Sequence, residues 1–233
     1  MRMTRVELKP LGDTAFLAYL PDEAAALDFA DAVRSAQFDW LLDVVPAYAS
    51  VGIFFDPERI GLAAVRKQLG KISHKKGPAT LGRLHQIPCC YEMQLDLARV
   101  AEDRGLTQDR VIELHTSVEY RVYAIGFSPG FPYLGYLPRE LKGVPRLPSP
   151  RLRVEPGSVG LTAKQTGIYP LARPGGWNII GRTPLELVNV EDHYFPIRIG
   201  DRVKFQRIDD VEYQRLKGER LSPSIQGISA VST

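Results

Sequence analysis

The sequence predicts two units of different kind: a small α+β unit over residues 1–80 and a β-rich unit, a barrel or a sandwich, over 84–210. A poorly ordered polar tail is expected over 217–233. Three observations carry this reading. Strand-like apolar segments alternate with two amphipathic helical segments up to Ile72, which suits one sheet covered on one face. Helical spacing of apolar residues is lost from Glu119 to Ile208, where glycine and proline punctuate short β-rich segments. The polar stretch Ser73–Gly82 separates the two regions as a linker.

In the first region, Val6-Glu7-Leu8 and residues 14–19 read as strands, the second after the Gly12-Asp13 turn. Asp22 caps a helix with Leu27, Ala30 and Val33 on one face. Val44-Val45 and the run from Val51 to Phe55 read as two strands joined at Ser50. Asp56-Pro57 supplies a helix-start signal, and Leu62, Val65, Leu69 and Ile72 give that helix an apolar face. Beyond the linker, Leu84–Tyr91 reads as a strand. A helical pair follows from Asp96 to His115, broken by Gly105 as a C-terminal cap and Thr107 as a new N-cap. Tyr120–Ile125, Ser158–Ala163, Trp177–Ile180, Glu186–Val190 and Arg202–Ile208 are the short strand candidates that follow, and Arg151 and Arg153 alternate with Leu152 and Val154 as in a strand.

Thirty basic against 27 acidic residues leave a net charge of +3, which points to neither nucleic acid nor an anionic membrane as partner. The basic run Lys67, Lys71, Lys75, Lys76 and Arg83 reads as a solvated linker. No apolar leader follows Met1, and no stretch is long enough to cross a bilayer. Cys89 and Cys90 are adjacent and poorly placed for a disulfide, so cytoplasm is the expected compartment.

Three short motifs fail on chemical grounds. Gly126-Phe127-Ser128-Pro129-Gly130 has the spacing of a nucleophile elbow, but Pro129 lacks the N–H that an oxyanion hole takes from that position. Gly77–Gly82 has phosphate-loop spacing, yet Arg83-Leu84 stands where Lys and Ser/Thr are needed. His74, His85, His115 and His193 show no paired ligand spacing, so no metal is expected.

Four blocks then stand out in the β-rich region. They are His115-Thr116-Ser117-Val118-Glu119, the segment Gly126–Gly135, Pro156–Gly160 leading to Gln165–Pro170, and Pro174–Trp177 with Gly181–Pro184. In this order they resemble the KipI/PxpB family, which includes the B subunit of 5-oxoprolinase and is often labelled allophanate hydrolase subunit 1. Gly12-Asp13 with Ala15, and Val44-Val45-Pro46, extend the resemblance to most of the chain. It implies a cyclophilin-like β-barrel behind the α+β domain, and membership of a multi-subunit, ATP-dependent enzyme that hydrolyses 5-oxoproline to glutamate. Relatives of other kinds inhibit a sensor histidine kinase or belong to the carboxyltransferase region of urea carboxylases. Glu92-Met93-Gln94 departs from the family's Gly-Gly pair, and Ser128, Lys164 and Arg182 stand where relatives use other residue types.

Within these blocks His115, matching the family's His-(Ser/Thr)-Ser segment, is a candidate acid–base group or a packed helix-end histidine. Ser117 and Glu119 would orient it or bind substrate. Gln165, Thr166 and Tyr169 place an amide, a hydroxyl and a phenol on one strand-and-turn unit, suited to gripping a lactam or carboxylate. Arg151 and Arg153, on one strand face, could hold a carboxylate, a phosphate or a partner's acidic edge, or make ordinary surface pairs. Phe131, Tyr133 and Trp177 lie on Gly/Pro-rich loops, lining a pocket, covering the core or anchoring an interface. Opening a lactam is helped by turning its oxygen into a phosphate leaving group. The chain offers no ATP site, so ATP binding is expected to fall to partner chains, the A and C subunits of such an enzyme. Because the chain ends soon after the β-rich unit, the C subunit is expected on a separate polypeptide.

Overall fold

The computed structural model describes residues 6–72 and 82–221, so the expected linker (except Gly82) and residues 222–233 of the expected tail lie outside it. The chain divides into two compact units, Met1–Thr80 and Leu81–Thr233.

The first unit runs β1 (Glu7–Pro10), β2 (Ala15–Tyr19), α1 (Glu23–Ser35), β3 (Leu41–Ala47), β4 (Ser50–Phe55) and α2 (Leu62–Leu69). Its antiparallel sheet has the order β1-β2-β4-β3. Asp22 Oδ1 accepts the Ala25 N–H at 2.8 Å and so caps α1, which buries Ala26, Phe29, Ala30 and Val33 at helical spacing. Leu27, expected on that face, is half-buried at its edge. The second helix begins later than Asp56-Pro57 predicts. Asp56 closes a local turn instead, its Oδ1 accepting the Glu58 N–H at 3.0 Å, and α2 starts after Gly61.

The second unit runs β5 (Leu84–Cys90), α3 (Leu97–Arg104), α4 (Gln108–Ser117), β6 (Tyr120–Ile125), β7 (Pro132–Gly135), a 3₁₀ turn (Arg139–Leu141), β8 (Arg151–Val154), β9 (Ser158–Thr162), β10 (Gln165–Ile168), β11 (Arg173–Gly175), β12 (Asn178–Arg182), β13 (Arg202–Ile208) and α5 (Asp210–Leu216). Seven strands close into a barrel in the order β10-β7-β6-β13-β5-β12-β9, while β8 and β11 pair separately. This is the mainly-β, cyclophilin-like barrel. All its pairs are antiparallel except β13 with β5. The break between α3 and α4 falls at Gly105 (φ +64°), and Thr107 Oγ1 accepts the Arg110 N–H at 3.1 Å.

Two expectations change here. Glu186–Val190 forms no strand. Asn189 Oδ1 takes the Glu191 N–H at 3.0 Å in a tight turn, and the segment makes only isolated bridges, Glu186 with Arg220 and Asn189 with Tyr194. The tail is not loose where it is described. Helix α5 is capped by Asp209, whose Oδ1 accepts the Glu212 N–H at 2.8 Å, and beyond it Leu221 is buried, its C=O accepting from the Tyr194 hydroxyl at 2.7 Å.

Candidate functional site

Successive residues of a strand face opposite sides of the sheet, so β10 sorts the four residues of its segment between two environments. Thr166 and Ile168 point into the barrel core, whereas Gly167 and, just past the strand, Tyr169 lie on the outer side.

On the inner side His115 is completely buried among Tyr91, Tyr120 and Phe205. Its Nδ1 lies 2.7 Å from the Tyr91 hydroxyl and its Nε2 2.9 Å from Thr166 Oγ1. The Thr166 hydroxyl donates onward to the Gly160 carbonyl at 3.0 Å, so Nε2 carries the proton and Tyr91 donates to Nδ1. Burial pushes the His115 pKa down to about 3, which keeps the ring neutral. Every polar atom of this network is satisfied inside the barrel. The sequence grouped Ser117 and Glu119 with His115, but the structure separates them. Both are exposed at the end of α4 and just beyond it: the Ser117 hydroxyl donates to Leu114 O at 2.8 Å, and Glu119 pairs with Arg202 at 2.6 Å. His115 and Thr166 therefore belong to the core.

The outer side is different. Register places Tyr133, Gly167, Gly160 and Ile179 in one row across β7, β10, β9 and β12. The two glycines leave the middle of the row without side chains, and aromatic rings fill it. A Cβ on Gly167 would come 3.0 Å from the Phe131 ring and 3.1 Å from the Trp177 ring; one on Gly160 would come 3.2 Å from Trp177 Cβ. Phe131 is the hub of the patch, meeting Tyr133, Tyr169 and Trp177 edge-on with centroid separations of 4.9, 5.1 and 5.5 Å. Such pairs add about 0.5–1.5 kcal/mol each beyond area burial. Phe131 and Trp177 are buried within the unit, so they floor the patch rather than project from it. The projecting aromatic is Phe127, 58% exposed at φ +67°, with its ring edge-on to Phe131 and Tyr169.

Tyr169 is buried with its hydroxyl against Gly175, where a Cβ would come within 2.4 Å of the oxygen. Burial raises the pKa of both Tyr169 and Tyr133, so both phenols stay protonated donors at neutral pH. Gln165 is half-buried at the edge of the same strand, opposite Gly135 and Thr162. Arg151 and Arg153 each pair with a separate carboxylate of this chain, the pairing alternative, rather than jointly facing a ligand. Arg151 bonds buried Asp96 at 2.7 Å, whose other oxygen accepts the Ile179 N–H at 2.7 Å, and Arg153 pairs with Glu155 at 2.6 Å. Asp96 thus ties α3 to β8 and β12, which explains why it makes no cap bond to its own helix.

The residue that the sequence did not single out is Arg146. It sits in the proline-spaced segment Pro145-Arg146-Leu147-Pro148, which has no periodicity to mark it. Ser128, in the elbow-like segment, is buried and leads into β7 rather than a helix. Among the described residues no three His, Cys, Asp or Glu side chains group as a metal site, and both cysteines are free and buried. No helix among them is long and apolar enough to cross a membrane.

Residues 6–195 match the family described as carboxyltransferase domain, subdomain C and D, and the chain belongs to that family. Relatives named as the B subunit of 5-oxoprolinase recur among its matches. That of Bacillus subtilis (strain 168) is 33% identical over 241 residues, covering 92% of this chain and 98% of the relative. The solved structure of TTHA0988 superposes with a TM-score of 0.73 at 35% identity over 84% of this chain, which spans only 40% of that longer chain. The K. lactis urea amidolyase shares the fold, with a TM-score of 0.71 at 18% identity over 92% of this chain and 15% of its own.

Proposed function

We propose that this chain is the B subunit of an ATP-dependent 5-oxoprolinase, which converts 5-oxoproline, ATP and water into glutamate, ADP and phosphate. The observation that carries the reading is the relation to the Bacillus subtilis protein of that name, which runs through nearly the whole of both chains. The outer patch supports it chemically. An aromatic floor of Phe131 and Trp177, rimmed by the Tyr133 and Tyr169 phenols, suits a small ring that is apolar on its faces and polar at its edge. ATP is bound mainly by the partner A and C subunits, separate chains of a cytoplasmic complex, and this chain contributes part of the 5-oxoproline site.

The test is ATP hydrolysis that depends on 5-oxoproline, measured with this chain alone, with the A and C subunits alone, and with all three. The reading expects turnover only in the complete mixture. Equal turnover by this chain alone, or by the two partners without it, contradicts it.

A further inference from the structure

Arginines on the segments around the outer patch have partners: Arg99 bonds Asn178, Arg151 bonds Asp96, Arg153 bonds Glu155, Arg173 bonds the Ala172 carbonyl and Arg182 the Pro156 carbonyl. Arg146, by contrast, is exposed without a carboxylate or carbonyl partner among the described residues. Its position is nonetheless fixed. On one side Asn178 Nδ2–H donates to the Pro145 carbonyl at 2.9 Å, and on the other Leu147 N–H donates to the Gly176 carbonyl at 2.8 Å. Asn178 is itself fully buried and bonded also to Leu161 O and Arg99. These bonds hold the Arg146 backbone alongside Gly176–Asn178, the segment that places Trp177 in the patch.

From there the Arg146 charge acts on the hydroxyls of both Tyr133 and Tyr169. Burial keeps the Tyr169 phenol protonated at neutral pH, so its hydroxyl has a proton to donate. Tyr133 is half-buried, and its hydroxyl has no hydrogen-bond partner among the described residues. A guanidinium and two phenols are donors in search of an acceptor. A second guanidinium, that of Arg151, adds positive charge near Tyr169. What completes such a set is an oxyanion.

We infer that Arg146, Tyr133 and Tyr169 form an oxyanion-recognition site on the outer wall of the barrel, taking the carboxylate of a small cyclic amide acid whose ring rests on Phe131 and Trp177. A carboxylate is favoured over a phosphate because the floor beside the donors is aromatic, whereas the second and third faces of a phosphate need further donors. The inference deepens the proposed function by naming its recognition chemistry, and it rests on the patch being the ligand site.

The experiment is calorimetric titration of the full chain with 5-oxoproline, with pyrrolidin-2-one (the same ring without the carboxylate) and with inorganic phosphate. Arg146→Gln and a control, Arg153→Gln, whose arginine already has a carboxylate partner, are titrated alongside. The expected result is that 5-oxoproline binds the wild type at least about 10-fold more tightly than pyrrolidin-2-one, the loss of one charge-assisted contact set. Arg146→Gln should weaken 5-oxoproline by about 10- to 100-fold and leave pyrrolidin-2-one unchanged, while Arg153→Gln binds like wild type. Equal affinity for the two ring compounds, an Arg146→Gln variant that binds 5-oxoproline like wild type, tighter binding of phosphate than of 5-oxoproline, or no binding of any probe would each overturn the inference. Failure of the enzyme reading looks different: carboxylate-selective binding persists, while the complete mixture with the A and C subunits shows no 5-oxoproline-dependent ATP hydrolysis.

Discussion

Thr166 and Gly167 are adjacent in β10, yet they face regions built on opposite rules. Inside the barrel, Thr166 joins a chain of Tyr91, His115 and the Gly160 carbonyl in which each donor meets an acceptor and water has no access. Outside it, Gly167 makes room for rings, and around those rings stand an exposed Arg146 and a half-buried Tyr133 phenol, donors without an acceptor among the described residues. A satisfied buried network specifies and stiffens a core. Donors left open beside an apolar floor are what a ligand can use. The contrast assigns the two sides of one barrel wall to structure and to recognition, although both contain residues from the same family-like blocks.

The largest expected effect is on the inner side. His115→Ala opens a cavity and strands the Tyr91 hydroxyl and Thr166 Oγ1, and should cost about 3 kcal/mol in denaturant unfolding. Binding of 5-oxoproline by the folded variant should stay within about twofold of wild type. Unchanged stability with lost binding would move His115 back to the site. The same residue gives a signature with pH. Its folded pKa of about 3 lies below the unfolded value near 6.5, so between those values the unfolded chain binds the additional proton. The stability from keeping the ring neutral is complete above about pH 6.5 and is lost progressively as pH falls towards 3, by at most about 1.4 kcal/mol per unit. His115→Gln should remove this part of the slope between about pH 6 and 4.5.

On the outer side, Gly167→Ala forces a Cβ to within 2.8 Å of the Pro132 carbonyl and 3.0 Å of the Phe131 ring. It should lower stability by about 1–3 kcal/mol and, unlike His115→Ala, should weaken 5-oxoproline binding because it lifts the floor of the patch. Wild-type affinity in a variant of lowered melting temperature would break the comparison. The smallest effect belongs to Glu119→Gln, which removes a solvent-facing pair with Arg202 and should change stability by about 0.5 kcal/mol or less with no change in binding.

The parts of this fold legible in the sequence are those written in local chemistry. The Asp22 and Thr107 caps and the Gly105 stop each act within one helical turn, so their residue types announce them. The strand Tyr120–Ile125 is legible too, because its buried and half-buried residues alternate cleanly. β7, β10 and β11 carry no such alternation, since glycines and prolines replace the outward side chains where rings pack over the wall. Phe131, Tyr133 and Trp177 can be named from their Gly/Pro-rich surroundings, although Tyr133 lies within β7 rather than on a loop, and Phe127 is not among them. Strand alternation puts Tyr169 and Thr166, three residues apart, on opposite sides, but which side is the core depends on barrel closure, which no local pattern contains. For the same reason His115 reads equally well as an acid–base group or as packing. Arg146 leaves no signal, because its place is set by bonds from its neighbours' backbone to Gly176 and Asn178, about 30 residues further along the chain.

The most direct test of this division is chemical-shift mapping of the isotope-labelled full chain as 5-oxoproline is added. The account predicts that the amides of Gly160 and Gly167 and the indole N–H of Trp177 move in a saturable way. The His115 imidazole resonances and the Thr166 methyl should stay in place, though they lie on the other side of the same strands. Perturbation centred on His115 and Thr166, with Trp177 and Gly167 silent, would contradict it.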